Sequence, residues 1–417
     1  MKVLIVGGGG REHAIAWKFS QSPQITQLYC APGNAGIAKL ATCVPIKATD
    51  LEAMVQFAVT QNIDLVFVAP DDPLALGMVD ALQQAGIRAF GPSKAAARIE
   101  ASKSFAKDLM HRYQIPTADY AVFESTPAAL AYLNGCDLPI VIKADGLALG
   151  KGVIIAQTQL EAEQAVRAML EGNVFGQAGS RVIIESFLTG PELTVLAFTD
   201  GKTVVPMVSS RDHKRAFDQD QGPNTGGMGT IAPGASLSEK DQQHLMAAIF
   251  QPTIDAMASE GCPFKGVIYF GLMLTPTGPK VIEYNARFGD PEAQVVLPLL
   301  ETDLMEICLA VLEERLDQIK IRWQEDRSAC CVVMASGGYP GSYTTGYPIS
   351  GLDTVTRSLV FHAGTRQEGS QIVTAGGRVL GVTAVADSLE DAIDQAYQDV
   401  ARIHFVQAHY RKDIGRT

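Results

Sequence analysis

Over roughly the first 100 residues, short apolar runs alternate with helical stretches, and this rhythm constrains the fold more than any other feature of the chain. Such an alternation is typical of a parallel sheet with helices on both faces. We therefore predict an open α/β unit at the N-terminus. Its predicted strands are Lys2–Val6, Leu28–Cys30, Asp64–Ala69 and Arg88–Phe90, and its predicted helices are Arg11–Ser20, Leu51–Val59 and Leu74–Gln84.

The size and charge of the chain narrow the class of protein. Its 417 residues, 47% of them hydrophobic, are enough for about three domains. No apolar run is long enough to cross a bilayer, and glycines directly follow the short first strand, unlike a signal peptide. We therefore expect a cytoplasmic protein. The net charge of −11 argues against nucleic acid or a membrane surface as a partner.

Cysteine and histidine usage gives no sign of a structural metal. The seven cysteines form no C-x-x-C pair, and the seven histidines lack metal-site spacing. We expect reduced, buried thiols and no zinc site. Cys330 and Cys331 are adjacent in an apolar run, so they are predicted to face opposite sides of a strand.

Beyond residue 90 we predict one long helix and two small units of strands and helices. Lys94–Tyr113 is predicted to be one long helix, and a small α+β unit is predicted from about residue 328, ending in the helix Leu389–Val400. Between them a further small unit is predicted, with helix Pro127–Leu133 and strands Tyr120–Phe123, Leu138–Ala144, Val153–Ala156 and Arg181–Glu185.

The run Lys280–Glu292 carries the strongest chemical signal. Residues two apart on a strand share a face, so Glu283, Asn285 and Arg287 are predicted to point the same way. Two hard oxygen ligands beside a guanidinium suit a Mg²⁺ ion that holds a polyphosphate. The alternative is an edge strand with a solvated polar face.

The glycines Gly7–Gly10 follow the first predicted strand and open a helix. The dinucleotide spacing fails, because Glu12 or His13 stands where the third glycine belongs, and no acid for a ribose occurs before Asp50. A phosphate or another small anion at the helix N-terminus is the better interpretation, with a plain tight turn as the alternative. Two more turns follow strands at their carboxyl ends, where open α/β sheets bind ligands, Ala31–Gly36 and Ala69–Leu74.

Two glycine-rich segments favour anion binding. Asp145–Gly152 carries Lys151 between two apolar strands, directly after Lys143, but it departs from the P-loop pattern. Lys143 is alternatively an edge lysine that covers apolar surface. Ser209–Gly229 is long, polar and basic at Asp212–Arg215, and loops of this length are usually functional or disordered.

Taken in order, these motifs resemble the ATP-grasp ligases, and among them the phosphoribosylamine–glycine ligase family. The resemblance runs from end to end of the chain. Two positions depart from the family pattern: Asp71 stands where a glutamate is usual, and Gly271 stands where many relatives place an acidic metal ligand. The motifs that carry the resemblance are Gly7–Ala14, Lys143–Leu147, Glu185-x-x-Leu188, Glu192, Asp212–Arg215, Gly222–Gly229, Asn285–Glu292, Phe361–Thr365 and Arg411–Gly415.

The resemblance implies three parts and one reaction. Residues 1–101 would form a parallel α/β domain and residues 102–327 the ATP-grasp domain, with a mobile lid at about 120–190. Residues 328–417 would form a small α+β domain. A monomeric enzyme would join glycine to 5-phosphoribosylamine through glycyl phosphate, using ATP and Mg²⁺ or Mn²⁺, in purine biosynthesis.

The resemblance also implies a role for each candidate residue. Glu283 and Asn285 would hold the metal, and Arg287, Lys143 and Lys151 would be catalytic. Nucleotide binding is expected of Lys103, Lys143, Gly150, Lys151, Glu185, Leu188 and Glu192, and substrate binding of Gly8, Gly10, Asn34, Asp71, Asp212, Lys214, Gly227 and Arg287.

Three other functions compete with this interpretation. One is another ATP-grasp enzyme, such as a carboxylase or a formyl-transferring relative, which would share the nucleotide residues. A nicotinamide oxidoreductase is disfavoured by the missing third glycine and ribose acid. A non-catalytic nucleotide-binding regulator is disfavoured because the candidate residues Lys143, Glu283 and Arg287 are all present.

Overall fold

The computed structural model describes residues 1–147, 152–172 and 180–416. It is a mixed α/β protein with separate parallel and antiparallel sheets, as the sequence predicts. Within the described ranges, no helix combines the length and the apolar character needed to span a membrane.

The N-terminal unit is a five-stranded parallel sheet in the order β3-β2-β1-β4-β5, which confirms the predicted α/β unit. The predicted helix Leu74–Gln84 is wrong in one respect, because Gly77 adopts a left-handed conformation with φ +95° and divides it in two. The strands are β1 Lys2–Gly7, β2 Gln27–Pro32, β3 Thr42–Cys43, β4 Leu65–Val68 and β5 Ala89–Phe90, and the helices are α1 Gly10–Phe19, α2 Leu51–Thr60, α3 Asp71–Leu76 and α4 Met78–Gln84.

The predicted helix Lys94–Tyr113 is likewise two helices, α5 Lys94–Ala101 and α6 Lys103–Arg112. Ser102 between them is extended, and its hydroxyl accepts a hydrogen bond from the Phe105 amide, which is the arrangement of an N-cap.

A small antiparallel sheet follows, in the order β6-β9-β7-β8. One face of it packs against two helices through a separate apolar cluster. Its strands are β6 Tyr120–Phe123, β7 Ile140–Ala144, β8 Val153–Ala156 and β9 Val182–Ser186, and its helices are α7 Thr126–Leu133 and α8 Gln159–Leu170.

A second antiparallel sheet has the order β11-β10-β16-β17. Its long strands are β10 Glu192–Asp200, β16 Lys265–Thr275 and β17 Gly278–Asn285, with β11 Val204–Pro206 at the edge. The remaining elements of this region are strands β12 Arg211–Asp212, β13 Arg215–Phe217, β14 Gln221–Asn224 and β15 Gly229–Ala232, and helices α9 Glu239–Leu245, α10 Gln251–Ser259, α11 Ala293–Leu299 and α12 Leu304–Leu312, with a π-helical turn Met246–Phe250 between α9 and α10.

The C-terminal sheet recruits strands from the middle of the chain. Its order is β12-β15-β18-β22-β19, with β18 Ser328–Ala335, β19 Leu359–His362 and β22 Arg378–Ala386, and helix α13 Leu389–Val400 packs on it. β20 Thr365–Glu368 and β21 Gln371–Thr374 form a separate hairpin. The prediction of Ser209–Gly229 as one long loop is wrong, because β12 pairs with β15 and β13 pairs with β14.

Strand β18 separates two apolar cores. Cys330 packs with α13 and Cys331 packs with α11 and the N-terminal unit, so the prediction that they face opposite sides is confirmed. Both cysteines are fully buried, and all seven cysteines are free thiols.

Candidate active site

Strand β17 brings the predicted metal ligands to the face of its sheet that is not buried. Val281 and Tyr284 are buried, whereas Glu283 and Asn285 are half-buried. A bulge at the pairing of β16 with β17 places Gly271 directly opposite Glu283. The strand ends at Asn285, so the predicted strand position of Arg287 is wrong; Arg287 lies beyond the end of the strand and is oriented by other contacts.

Glu283 is held in its ionised form by a lysine. Its Oε1 lies 3.2 Å from Lys214 Nζ, which also lies 3.5 Å from the carboxylate of Glu192. The Lys214 charge lowers the pKa of Glu283 to about 2, against the opposing effect of burial, and Lys143 adds to this. The carboxylate is therefore charged at neutral pH and remains a hard oxygen donor.

Lys143 connects the small sheet to β17. Its Nζ donates to Glu185 Oε2 at 3.0 Å and to the Ile282 carbonyl at 3.1 Å. Lys107 Nζ lies 3.0 Å from the same Glu185 oxygen, so one buried carboxylate orders two lysines. The edge-lysine alternative for Lys143 is wrong, because its side chain is buried and paired.

The other residues predicted to bind the nucleotide lie on separate elements. Lys103 begins α6, and its Nζ donates to the Gly146 carbonyl at 2.6 Å. Leu188 follows β9 and is half-buried, and Glu192 begins β10 with an exposed side chain. Gly150 and Lys151 lie outside the described residues.

Arg287 is fixed by two carboxylates from the N-terminal half of the chain. Its Nη2 donates to Glu100 Oε1 at 2.6 Å and lies 3.7 Å from Asp71 Oδ2. Asp71 begins α3, and although burial opposes it, Arg287 and Arg11 bring the pKa of Asp71 below its usual value. Asp71 therefore stays ionised beside the guanidinium.

Asp212 and Glu292 form an acidic pair near Lys214. Burial raises the pKa of Asp212 well above its usual value, and the nearby Glu292 adds to this. Burial likewise raises the pKa of Glu292. Gly227, with φ +111°, packs so closely on Asp212 that a Cβ at this position would come within 2.7 Å of Asp212 Oδ1.

Arg378 on β22 contacts both Gly226 and Asp290. Its Nη1 donates to the carbonyls of Gly226 and Asp290, both at 2.6 Å, and its Nη2 lies 3.4 Å from Asp290 Oδ2. A strand of the C-terminal sheet therefore ties the Gly226–Gly229 segment to the turn after β17.

Residues near the carboxyl end form hydrogen bonds with the hairpin β13–β14 and with His213, which precedes it. Arg411 is fully buried and donates to Asp220 Oδ1 at 2.7 Å and to Asp413 Oδ1 at 2.8 Å. The amide of Gly415 donates to His213 Nε2 at 3.1 Å. Lys214 is thus the neighbour of a residue that is bonded to the C-terminal segment.

The N-terminal glycine loop packs closely on the turn after β2. A Cβ at Gly8 would lie 2.5 Å from the Gly33 carbonyl oxygen, and one at Gly10 would lie 2.6 Å from Gln294 Nε2. Asn34 donates to the Gly8 carbonyl at 2.9 Å and to the His362 carbonyl at 2.7 Å. Its Oδ1 also accepts two backbone amides, so this side chain is occupied in holding the loop to the C-terminal domain.

Three family models match the chain in succession. They are the N domain of phosphoribosylglycinamide synthetase at residues 1–100, its ATP-grasp (A) domain at 101–293, and its C domain at 329–417. The chain belongs to the phosphoribosylglycinamide synthetase family. The division predicted from the sequence, 1–101, 102–327 and 328–417, stays a prediction of where independent domains begin and end.

Curated relatives of this family match the chain over its full length. A protein of Caldanaerobacter subterraneus subsp. tengcongensis named phosphoribosylamine–glycine ligase is 49% identical over 415 residues, which cover 100% of this chain and 99% of the relative. A protein of the same name from Allochromatium vinosum is 51% identical over 420 residues, with 100% and 98% covered.

Solved structures agree with the family assignment. The crystal structure of phosphoribosylamine–glycine ligase from Thermotoga maritima has a TM-score of 0.86 at 32% identity and covers 99% of this chain and 100% of that one. The biotin carboxylase domain of the Hydrogenobacter thermophilus 2-oxoglutarate carboxylase, solved with MgADP, has a TM-score of 0.75 at 15% identity, covering 98% and 91%. At that identity the likeness is one of fold.

The ATP-grasp fold of the family implies a divalent metal, and the donor set at β17 fits one. Glu283 is ionised and Asn285 offers an amide oxygen, and both are hard ligands on an open strand face. No group of three or more His, Cys, Asp or Glu side chains within the described ranges is arranged to hold a metal. Glu283 and Asn285 offer two oxygen ligands, and Mg²⁺ normally completes its shell with water and substrate phosphates.

Sequence reasoning missed several residues that shape the site of this family member. Lys107 and Arg378 are basic residues without a motif around them, and Glu100 is an unremarked acid in a helix. Glu292 lies inside the motif Asn285–Glu292, but its burial next to Asp212 is a matter of tertiary packing. None of the four offers a local spacing signal in the sequence.

Proposed function

We propose that this chain is an ATP-dependent ligase that joins glycine to 5-phosphoribosylamine. The products are glycinamide ribonucleotide, ADP and phosphate, in de novo purine biosynthesis. The observation that carries the proposal is the match of three successive family models, together with full-length relatives at about half identity that bear the name of this activity.

The chemistry requires activation of the glycine carboxylate, because oxide is a poor leaving group. A carboxylate oxygen attacks the γ-phosphorus of ATP, forming a P–O bond as the bond to ADP breaks. The amine of 5-phosphoribosylamine then attacks the carbonyl carbon of glycyl phosphate. The C–O bond breaks, phosphate leaves and the nitrogen loses a proton.

The residues around β17 are suited to the first step. Phosphoryl transfer depends mainly on positioning and charge neutralisation. Lys103 and Lys143 would contact the phosphates, and the contact of Lys143 with Glu185 fixes its direction. Glu185 and Leu188 would hold adenine through their backbone groups, and Glu192 would bind the ribose.

Glu283 and Asn285 would hold the divalent cation, for which we propose Mg²⁺ or Mn²⁺. When bound, such an ion neutralises phosphate charge and polarises the γ-phosphoryl group. Gly150 and Lys151 are proposed to close over the phosphates and exclude water, which would otherwise hydrolyse the acyl phosphate.

The second step takes place beside Arg287. Its guanidinium is fixed next to the end of β17, where it would stabilise charge on the phosphoryl group and on the tetrahedral oxyanion. Asp71, Asp212, Lys214 and Gly227 line the same region and are proposed to bind glycine and the ribose phosphate. Gly8 and Gly10 are proposed to bind 5-phosphoribosylamine through their backbone, and Asn34 to support that loop.

An isotope-transfer assay tests this function. Glycine labelled with ¹⁸O in its carboxyl group is incubated with the enzyme, ATP, Mg²⁺ and 5-phosphoribosylamine, and ADP and phosphate are analysed. We expect ADP release in proportion to glycinamide ribonucleotide, with one ¹⁸O atom from each glycine in the released phosphate. Unlabelled phosphate, or turnover with bicarbonate or formate in place of glycine, would indicate another ATP-grasp activity.

The same preparation tests the proposed oligomeric state. We propose a monomeric cytoplasmic enzyme whose partners are its small-molecule substrates, with no nucleic acid and no membrane among them. Light scattering at assay concentration should give the mass of one chain, 44.5 kDa. A stable dimer mass would contradict the monomer.

A further inference from the structure

Glu100 divides its carboxylate between the backbone and the side chain of one short segment. It lies in the last turn of α5, next to the break at Ser102. Its Oε2 accepts the amide of Ala286 at 2.7 Å, and its Oε1 accepts Arg287 Nη2 at 2.6 Å. One side chain therefore holds the exit of β17 and the arginine that follows it.

We propose that Glu100 is a positioning residue that sets the orientation of the Arg287 guanidinium for the acyl-transfer chemistry. The proposal rests on the proposed function, since it assigns Glu100 to the reaction through Arg287. Glu100 itself is too enclosed to meet a substrate, because 8% of its surface is exposed.

The contacts of Arg287 show what this orientation achieves. Nη2 is occupied by Glu100, with Asp71 at 3.7 Å, and Nη1 donates to the Phe288 carbonyl at 3.3 Å. Arg11 donates to that same carbonyl at 3.0 Å, which adds a second anchor to the segment. With two of its nitrogens hydrogen-bonded, the guanidinium is held in one orientation, so its charge is already placed when an oxyanion develops.

Burial raises the pKa of Glu100 to about 7, and the Arg287 charge opposes this rise, so the pairing keeps Glu100 more ionised than burial alone would. The Arg287 side chain is 16% exposed, and a charge pair in such a place is screened little by salt. Removal of the Glu100 charge leaves Arg287 charged without its nearest carboxylate. Asp71 lies farther from Nη2 than Glu100 does. Arg287 without Glu100 would therefore move toward Asp71.

A purely structural role for Glu100 predicts a different set of measurements. If Glu100 only accepts the Ala286 amide, its substitution would lower the stability of the protein and would not change kcat of the folded enzyme. As a positioning residue, it affects kcat in a folded enzyme, and it does so through Arg287. A double-mutant cycle with Arg287→Lys separates the two roles, because residues that act as a unit are not additive.

The experiment measures kcat, KM for ATP and thermal midpoint for Glu100→Gln, Arg287→Lys and the double variant. Glu100→Gln keeps the size of the side chain and removes its charge. We expect kcat to fall about tenfold or more with KM for ATP within about twofold, and the double variant to be no slower than Arg287→Lys by more than about twofold. The control is Glu260→Gln, which breaks an ion pair with Arg112 on the surface and should leave kcat unchanged.

Wild-type kcat in folded Glu100→Gln, or a loss that multiplies fully in the Arg287→Lys background, overturns the proposal. If Glu100→Gln does not fold, Glu100→Asp decides on the same criteria, since aspartate keeps the charge but is too short to reach both partners. Failure of the proposed function is distinguishable, because the wild-type enzyme would then show no ADP release that depends on both substrates.

Discussion

At the scale of single residues, the site is a set of carboxylates whose ionisation is decided by their neighbours. Glu283 and Asp71 are kept charged by Lys214 and Arg287, whereas burial raises the pKa values of Asp212 and Glu292, and Glu292 adds to the rise at Asp212. Neighbouring carboxylates thus differ in charge because their surroundings differ. The charged one on an open strand face is the one suited to a cation.

Glu283→Gln tests the metal assignment. We expect turnover to fall by a factor of about 10² or more while the fold is retained, because Lys214 keeps Glu192 as a second partner at 3.5 Å. ADP release at saturating Mg²⁺ and the thermal midpoint are the measurements. Glu314→Gln is the control, since Glu314 also pairs with two lysines, Lys202 and Lys265, on the surface. Normal ligase activity in Glu283→Gln would reject the assignment.

At the scale of elements, the site depends on a segment that belongs to two sheets. β12 and β15 join the C-terminal sheet, while Lys214 between them reaches Glu283 on β17. Gly227 closes this segment at φ +111°, where a side chain is strained. The path of the backbone is therefore part of the site.

Gly227→Ala tests whether the close packing of Gly227 on Asp212 and Pro291 matters for catalysis beyond the effect of backbone strain. A Cβ here would meet Pro291 Cδ at 2.4 Å and Asp212 Oδ1 at 2.7 Å. The control is Gly278→Ala in the β16–β17 turn, which has a similar φ of +115° but no neighbouring atom within 4 Å. We expect both variants to lose about 1–3 kcal/mol of stability from the backbone, and Gly227→Ala alone to lose at least tenfold in kcat/KM for glycine. Equal kinetics in the two variants would contradict a role for this close approach.

Local pattern predicts the strands well and the helix breaks poorly. β1, β2, β4 and β17 follow from apolar runs, and Glu283 and Asn285 share a face because side chains alternate along a strand. The break at Ser102 was missed, although a serine before a helical run is a known N-cap signal. The direction of Arg287 could not be predicted, because its partner Glu100 lies 187 residues away in the chain.

At the scale of the whole molecule, buried histidines link the N-terminal and C-terminal units. His13 on α1 accepts the amide of His362 on β19 at 2.7 Å, and both are buried. Burial, with help from His362 and Lys39, lowers the pKa of His13 to about 3, and burial lowers that of His362 to about 4. The folded protein therefore keeps both rings neutral.

This arrangement makes stability depend on pH. Between about pH 6.5 and pH 4 the unfolded chain binds protons that the folded chain does not, so the free energy of unfolding falls as the pH falls. We expect a loss of roughly 2 kcal/mol per buried histidine between pH 7 and pH 5. His13→Asn keeps an acceptor. Between pH 7 and pH 5, its free energy of unfolding, measured with urea, should fall by about 2 kcal/mol less than that of the wild type. His244→Asn, at an exposed position on α9, should behave as wild type; identical pH dependence in all three proteins would contradict the argument.

The bonds from Arg411 and Gly415 to the hairpin have a practical consequence for the whole enzyme. Bulk added directly behind Gly415 would act on its hydrogen bond to His213, the neighbour of the lysine that contacts Glu283. A tag, a surface tether or a fused partner attached directly behind Gly415 is for this reason expected to disturb the site, even though Gly415 lies far from β17 in the sequence.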